Sequence, residues 1–415
     1  MKKTLLLSVV ASSMIMAGGD IAPVEPVVET PVVEASGWDF SGQAVAYYQT
    51  RDKGAANDLF EEAASKANVG IQLRAINSDL FYGIGAGVEV SALGTMWLEH
   101  GELDVVTDTM QKPNANELKG GWVSQAYLTY GFGNTAIKLG RQELPKALSP
   151  FAFSEGWNVF KNTFDAALVV NTDIADTTLV GAYVDSANKH TNMGNFAEVN
   201  GDNGIFMLTA QNKSIEGLTL TGTWYYASEF AADSKNVDQD ANIIWADAKF
   251  NVSNFNVALQ GGTVMCDALA DDAVAFGGKI GAKYDMFSAY VAYSSTDENY
   301  AMTNVGGVKT PLYTQMILNQ NVIAKDADYV KVAASANVYG GTFGVAYGYA
   351  IANNDDSTGI SKTGIDNNPY ELDVTYKTKV FNDSTTVFAG YVLENKDLTS
   401  GDSNNMVRFW ARYNF

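Results

Sequence analysis

Residues 67–91, ANVGIQLRAINSDLFYGIGAGVEVS, decide the fold. Ala67, Val69, Ile71, Leu73 and Ala75 alternate with Asn68, Gly70, Gln72 and Arg74. After Asn77-Ser78-Asp79, Leu80, Tyr82, Ile84, Ala86, Val88 and Val90 alternate with Gly83, Gly85, Gly87, Glu89 and Ser91. A period of two is that of a β-strand, whose side chains point to opposite faces in turn. One face of each segment is apolar, and the charges Arg74 and Glu89 fall on the other. The polar triplet between them reads as a turn. Gly83, Gly85 and Gly87 keep the same strict period, which fits a strand and not the strand-to-helix turn of a phosphate loop.

The rhythm continues outward in both directions. It predicts strands near 39–50, 67–77, 80–91, 120–131, 134–141, 163–171, 176–186, 203–212 and 217–228, then near 241–250, 254–264, 274–284, 286–295, 328–338, 342–351, 369–380, 384–394 and 404–415. That is eighteen segments, near the 9–11 residues that a tilted strand needs to cross a bilayer. Connections alternate between short turns, such as Gly131-Phe132-Gly133 and Tyr339-Gly340-Gly341, and long loops, such as 92–119, 142–162 and 296–327. Long external loops over short periplasmic turns are the pattern of a transmembrane barrel. Pro113, Pro145, Pro150, Pro311 and Pro369 all fall in loops or at a strand's first residue, where no ladder N–H is lost. The predicted fold class is all-β: a single closed antiparallel transmembrane β-barrel of about 18 strands over 39–415. Closure pairs the last strand with the first, because an open edge in hydrocarbon leaves backbone groups unsatisfied.

Composition excludes other classes. Of 415 residues, 47% are hydrophobic and 18% charged, too apolar for disorder, while a mean hydropathy of −0.08 and the lack of a long apolar run beyond the first 17 residues exclude a helical membrane bundle. A net charge of −20 argues against nucleic acid. One cysteine, Cys266, excludes an internal disulfide framework and sits in a predicted external loop. His100 and His190 stand in separate loops without ligand spacing, so neither a zinc centre nor a hydrolase's nucleophile-base pair is expected, and the chain reads as a non-enzyme.

Residues 1–17, MKKTLLLSVVASSMIMA, join twin lysines to an apolar stretch and a small-residue exit, the form of a secretory signal peptide. Residues 18–38 carry Pro23, Pro26 and Pro31 among Val and Glu and read as an extended periplasmic linker. The expected location is the cell outer membrane of a Gram-negative bacterium, with the lipid bilayer and lipopolysaccharide as surroundings.

Eighteen strands enclose more space than side chains fill, so an aqueous channel is expected. The polar faces supply its wall: Arg74, Glu89, Lys138, Asp165, Asp185, Asp247, Lys249, Lys279, Lys283, Lys331, Glu371, Asp373, Lys377, Glu394, Arg408 and Arg412. The third loop, about 142–162, mixes Phe151, Phe153, Trp157 and Phe160 with charges, which predicts a loop folded into the lumen. The alternative is a surface loop packed on its neighbours. The predicted constriction sets Arg74, Lys138, Arg141, Asp165, Arg408 and Arg412 on the wall against Glu143, Lys146, Glu155 and Lys161 from the loop.

Residues 121–143, GWVSQAYLTYGFGNTAIKLGRQE, the aromatic-rich loop after them, Phe164-Asp165-Ala166, and the terminal RFWARYNF resemble the major outer membrane porins of Campylobacter and its relatives. The resemblance is specific for this hairpin and the last strand, and elsewhere only the strand rhythm matches. It implies an 18-stranded homotrimeric porin, narrowed by its third loop and passing small hydrophilic solutes with a preference for cations. It also implies calcium at the constriction, for which Glu143, Glu155 and Asp165 are the candidate acids here; no other cofactor is expected. The function expected is passive diffusion of ions and small hydrophilic solutes. The competing reading is a surface adhesin or receptor with a plugged barrel and ligand-binding external loops, for which 296–327 is long enough.

Overall fold

A computed structural model of the chain describes residues 37–52, 57–100, 104–230, 239–353, 369–395 and 404–415. The expected signal peptide and nearly all of the linker lie outside these residues. The first ten strands are β1 (Asp39–Arg51), β2 (Ser65–Phe81), β3 (Ile84–Gly94), β4 (Gly120–Phe132), β5 (Thr135–Gln142), β6 (Phe164–Asn171), β7 (Thr177–Asn188), β8 (Phe196–Glu198), β9 (Ile205–Asn212) and β10 (Leu218–Ala227). They continue as β11 (Ala241–Val252), β12 (Phe255–Cys266), β13 (Ala273–Tyr284), β14 (Phe287–Thr296), β15 (Ala327–Val338), β16 (Gly341–Asn353), β17 (Tyr370–Val380), β18 (Thr385–Asn395) and β19 (Asn404–Asn414). Eighteen form one antiparallel wall in sequence order, and the other, β8, is a three-residue ribbon on the loop side of β7. All eighteen segments expected from the period are present.

Closure is direct. β19 pairs with β1 from Gln43↔Asn414 to Arg51↔Met406, and Gly42 and Phe415 exchange both backbone hydrogen bonds, at 2.8 and 3.1 Å. Among the described residues, no long sheet edge is left for another chain to extend.

The outer face carries Ile71, Leu73, Val88, Val90, Leu128, Leu259 and Ile280, all exposed, while their alternating neighbours Gln72, Glu89, Ser91 and Gln260 are buried inside. Aromatic side chains collect at both rims. Tyr82, Phe132, Phe255, Tyr284, Phe287 and Tyr339 ring the short turns, and Phe206, Trp224, Tyr293, Tyr347 and Tyr391 stand nearer the loops. Several upper tyrosines keep the hydroxyl wet: Tyr226 donates to Asp240 and Tyr293 to Asp328, each at 2.7 Å. An apolar band between two aromatic girdles matches the dimensions and chemistry of a bilayer.

Two expectations about connections need correcting. The first turn does not lie at Asn77-Ser78-Asp79 but at Tyr82-Gly83, where φ is +50° and +81°, the twist that a two-residue hairpin needs. The polar triplet instead forms an irregularity inside the paired strands, with Asp79 N–H donating to Asn77 Oδ1 and Gly83 N–H to Asp79 Oδ1. Cys266 ends β12 and is buried, not displayed on a loop.

The hollow is partly filled by loops. L3 (143–163) follows β5 and L7 (297–326) follows β14; both fold inward. Leu144, Phe151 and Ala152 of L3 and Met302, Leu312 and Met316 of L7 join Phe164, Leu168, Val184, Met207, Tyr225 and Trp245 of β6–β11 in one buried cluster. L7, which sequence left free to reach outward as a binding loop, is therefore largely an interior element.

Candidate functional site

L3 runs across the lumen because its two limbs are tied to distant parts of the wall. After Pro145 a turn closes through Ser149 N–H to the Pro145 carbonyl at 3.0 Å. Phe151 then buries its ring edge-on against Trp245, 5.3 Å between centroids, and its N–H donates to the Tyr225 hydroxyl oxygen at 3.1 Å. The far limb meets β19: Arg412 donates to the Val159 carbonyl at 2.9 Å and Arg408 to the Trp157 carbonyl at 3.5 Å. Behind it, Gln111, from L2 (95–119), grips the Phe160 backbone on both sides, at 2.7 and 2.8 Å. Such paired amide contacts satisfy buried backbone that no strand serves.

The expected constriction residues separate into three groups. Arg74, Lys138, Arg408 and Arg412 project inward. Arg74 pairs with Glu89 at 2.6 Å, Lys138 lies 3.7 Å from the centre of the Tyr127 ring, and Arg408 takes Gln49 at 2.8 Å. Glu143, Lys146, Glu155 and Lys161 are on the inward loop: Lys161 pairs with Glu143 at 2.6 Å and Lys146 donates to the Thr310 carbonyl of L7 at 3.1 Å. Glu155 is only 3% exposed and spends both oxygens on N–H groups, three of them from L7.

The third group, Arg141 and Asp165, is a correction. They sit opposite each other and opposite Ala126, on the outer face. Arg141 clasps Asp165 with two bonds of 2.9 Å, Ser186 donates to Asp165 at 3.0 Å, and the guanidinium lies 3.3 Å from the Phe196 ring centre. The reason is parity: Lys138 and Arg141 stand an odd number of residues apart on one strand, so one faces in and the other out. Asp185, also expected on the inner wall, falls at a register shift between β6 and β7 and is exposed.

The inner wall holds a feature that the expected constriction omitted. Lys249, Lys279, Lys283, Lys377 and Lys379 rise from β11, β13 and β17 on the same face as Arg412. Lys249 contacts Asp247 at 3.3 Å, and Lys279 reaches over Tyr290 and Tyr313, at 5.5 and 5.0 Å. Tyr313 donates its hydroxyl to Asp247. Burial, then the Asp247 carboxylate, holds that hydroxyl protonated far above the usual phenol range. The wall acids are covered instead. Leu318 N–H donates to Glu371 at 2.8 Å, Ile317 N–H to Asp373 at 3.4 Å, and Arg51 clamps Glu394 at 2.5 Å. Lys249, Lys283 and Lys379 remain exposed at the turn side.

His190 of L4 (189–204) packs against Trp157, 5.5 Å between rings, and burial lowers its pKa below the ordinary imidazole value although the Glu155 charge opposes the shift. The acids named for calcium do not converge. Glu143 is held by Lys161, Glu155 by L7, and Asp165 lies outside with Arg141. Among the described residues no cluster of three acids, histidines or cysteines is arranged for a metal, so these three do not fit a calcium ion.

Comparison with known proteins supports the architecture. No family model and no curated protein matches the chain. Solved structures do. OccAB3 of Acinetobacter baumannii superposes with a TM-score of 0.71 at 13% identity, over 92% of this chain and 100% of that one. The outer membrane protein OpdK of Pseudomonas aeruginosa gives 0.68 at 15%, over 91% and 99%. OpdK solved with vanillate gives 0.69 at 14%, over 91% and 98%. At these identities the likeness is one of fold: a closed 18-stranded barrel. Nothing in the comparisons connects the chain to the Campylobacter group that its 121–143 hairpin resembles.

Proposed function

We propose that the chain is a passive channel of the outer membrane for small hydrophilic solutes, and that it prefers anions. The carrying observation is the asymmetry of the inner wall. Lys249, Lys279, Lys283, Lys377, Lys379 and Arg412 face the lumen, whereas Glu371, Asp373 and Glu394 are capped by L7 backbone and by Arg51. Charges that line a path order solutes by sign, and low-dielectric walls focus their field. The resemblance of the 121–143 hairpin implied cations, but the acids behind the overall charge of −20 belong largely to loops, turns and the leader, where they do not set the potential of the bore. OpdK was solved with vanillate, an aromatic carboxylate. That observation concerns OpdK, and it agrees with an anion path in this fold.

The adhesin reading loses its main support because L7 packs inside. Reconstitution in a planar bilayer separates the two: purified full chain gives stepwise conductance, and a potassium chloride gradient gives a reversal potential of chloride sign. Replacing Lys249, Lys283 and Lys379 together by Glu moves that potential toward potassium. Absence of any conductance contradicts the channel, and an unmoved potential contradicts the basic wall as its filter.

A further inference from the structure

In this chain one carboxylate stands at the centre of the contact between L3 and L7. Glu155 Oε1 accepts Lys309 N–H at 2.7 Å, Val308 N–H at 2.9 Å and Asn304 Nδ2 at 3.0 Å, all from L7, while its Oε2 accepts Trp157 Nε1 at 2.7 Å within L3. Around it the backbones are stitched by Val305 N–H to the Phe151 carbonyl at 2.9 Å, and by a reciprocal pair between Asn304 and Phe153 at 2.8 and 3.0 Å. Asn162 closes the loop, accepting Glu155 N–H at 2.6 Å and donating to the Gly306 carbonyl at 2.9 Å.

Two glycines make room for this joint. A Cβ on Gly307 would overlap Glu155 Oε1, and one on Gly306 would meet the Phe164 ring at 2.5 Å. L7 therefore approaches Glu155 at backbone distance, which only glycine permits. A carboxylate is required as well: it alone presents two acceptors and no donor to a set of N–H groups, whereas an amide sets one N–H against another.

We propose that Glu155 is a positioning residue for permeation: it locks L3 to L7, so that the aperture is set by the joined loops and not by L3 alone. The proposal rests on the channel reading above. L3 meets β19 on one side and L7 meets β15 and β17 on the other, through Arg412 to Val159 and through Lys331 to the Gln315 carbonyl and Leu318 to Glu371. Opening the joint leaves both loops anchored at the wall and loosens only the span between them.

The test is single-channel recording on wild type, Glu155→Gln and Gly307→Ala, with folding of each barrel checked by its heat-modifiable migration on gels. Gly222→Ala serves as control, since a Cβ there meets nothing within 4 Å. We expect both joint variants to fold, to at least double the open-channel current noise or the conductance, and to shift the reversal potential, while the control behaves as wild type. The double variant should go little beyond either single one, because both break the same contact. If Glu155→Gln does not fold, Trp157→Phe removes one of the four donors and is expected to give a smaller step in the same direction. Folded variants with wild-type conductance, noise and selectivity overturn the proposal. A wild type that never conducts overturns the channel reading itself, a separate result.

Discussion

The inner wall has two unlike arcs. From β6 to β11 its loop-side half is apolar, built of Phe164, Leu168, Val184, Met207, Tyr225 and Trp245, and it is covered by L3 and L7. From β17 through β19 to β5 it is mixed: Lys377, Arg74 and Lys138 face the bore, Gln72 and Arg408 are buried, and Val45, Tyr47, Leu93, Phe388 and Trp410 form a smaller apolar patch against Val159 and Phe160 of L3. The difference shows that inward apolar patches, large on the first arc and small on the second, are the docks that fold a loop into the lumen, while the charged positions beside them are left to line the bore. On the first arc the hydrophobic effect holds the loops; on the second a smaller apolar patch is joined by hydrogen bonds from Arg408 and Arg412 to L3 carbonyls.

The sharpest way to break this contrast is to remove the dock. Phe151→Ala should weaken the attachment of L3 by about 3–5 kcal/mol, the usual cost of emptying a buried phenyl site. The barrel should stay closed, and the conductance rise, in bilayer recordings. Wild-type conductance in a folded Phe151→Ala would show that the apolar arc does not hold the loop. On the charged arc the effect is smaller. Arg74→Met strands the nearly buried Glu89, which still accepts from Gln72 and Ser124, and should cost about 1–3 kcal/mol in thermal unfolding. Glu89→Gln should cost less, because it leaves no buried charge behind. The reverse order would mean that Glu89 is not the desolvated member.

A further contrast is with pH. Burial lowers the pKa of His190, so the folded state favours the neutral ring. Its contribution is complete above the ordinary imidazole pKa of about 6.5 and falls away as pH drops below that value. The melting temperature should therefore decline on acidification toward pH 5 by more in wild type than in His190→Gln. Smallest of all is the outer pair. Arg141→Met, which leaves Asp165 to Ser186 alone on the outer face, should leave the reversal potential untouched. A shifted potential would return Arg141 to the bore.

Much of the architecture is legible in the sequence, because a period of two repeats through most strands and turn residues punctuate it. The lumen was legible only in part. Alternation assigns Lys138 to the wall, whereas Arg141 enters the expected constriction as the end of the 121–143 hairpin, although its spacing from Lys138 on β5 assigns it the opposite face. L3 was read as buried from its aromatics. The same reasoning applies to Met302, Leu312, Met316, Ile317 and Leu318, whose apolar weight marks L7 as an inward loop too. Strands such as β6, FDAALVVN, are apolar on both faces, so alternation alone does not say which side meets lipid and which side meets a folded loop. The Glu155 joint was out of reach, since it depends on two loops far apart in sequence meeting across the bore.

The inside-outside assignment carries the whole account, and neighbouring positions on β13 test it. Lys283 faces the bore and Ile280 faces outward, while the native Cys266 is buried. With Lys283→Cys and Ile280→Cys reconstituted separately in planar bilayers, a water-soluble charged thiol reagent should reduce the current through the first and leave the second unchanged. Block through Ile280→Cys, or none through Lys283→Cys, would contradict a water-filled lumen lined by this face.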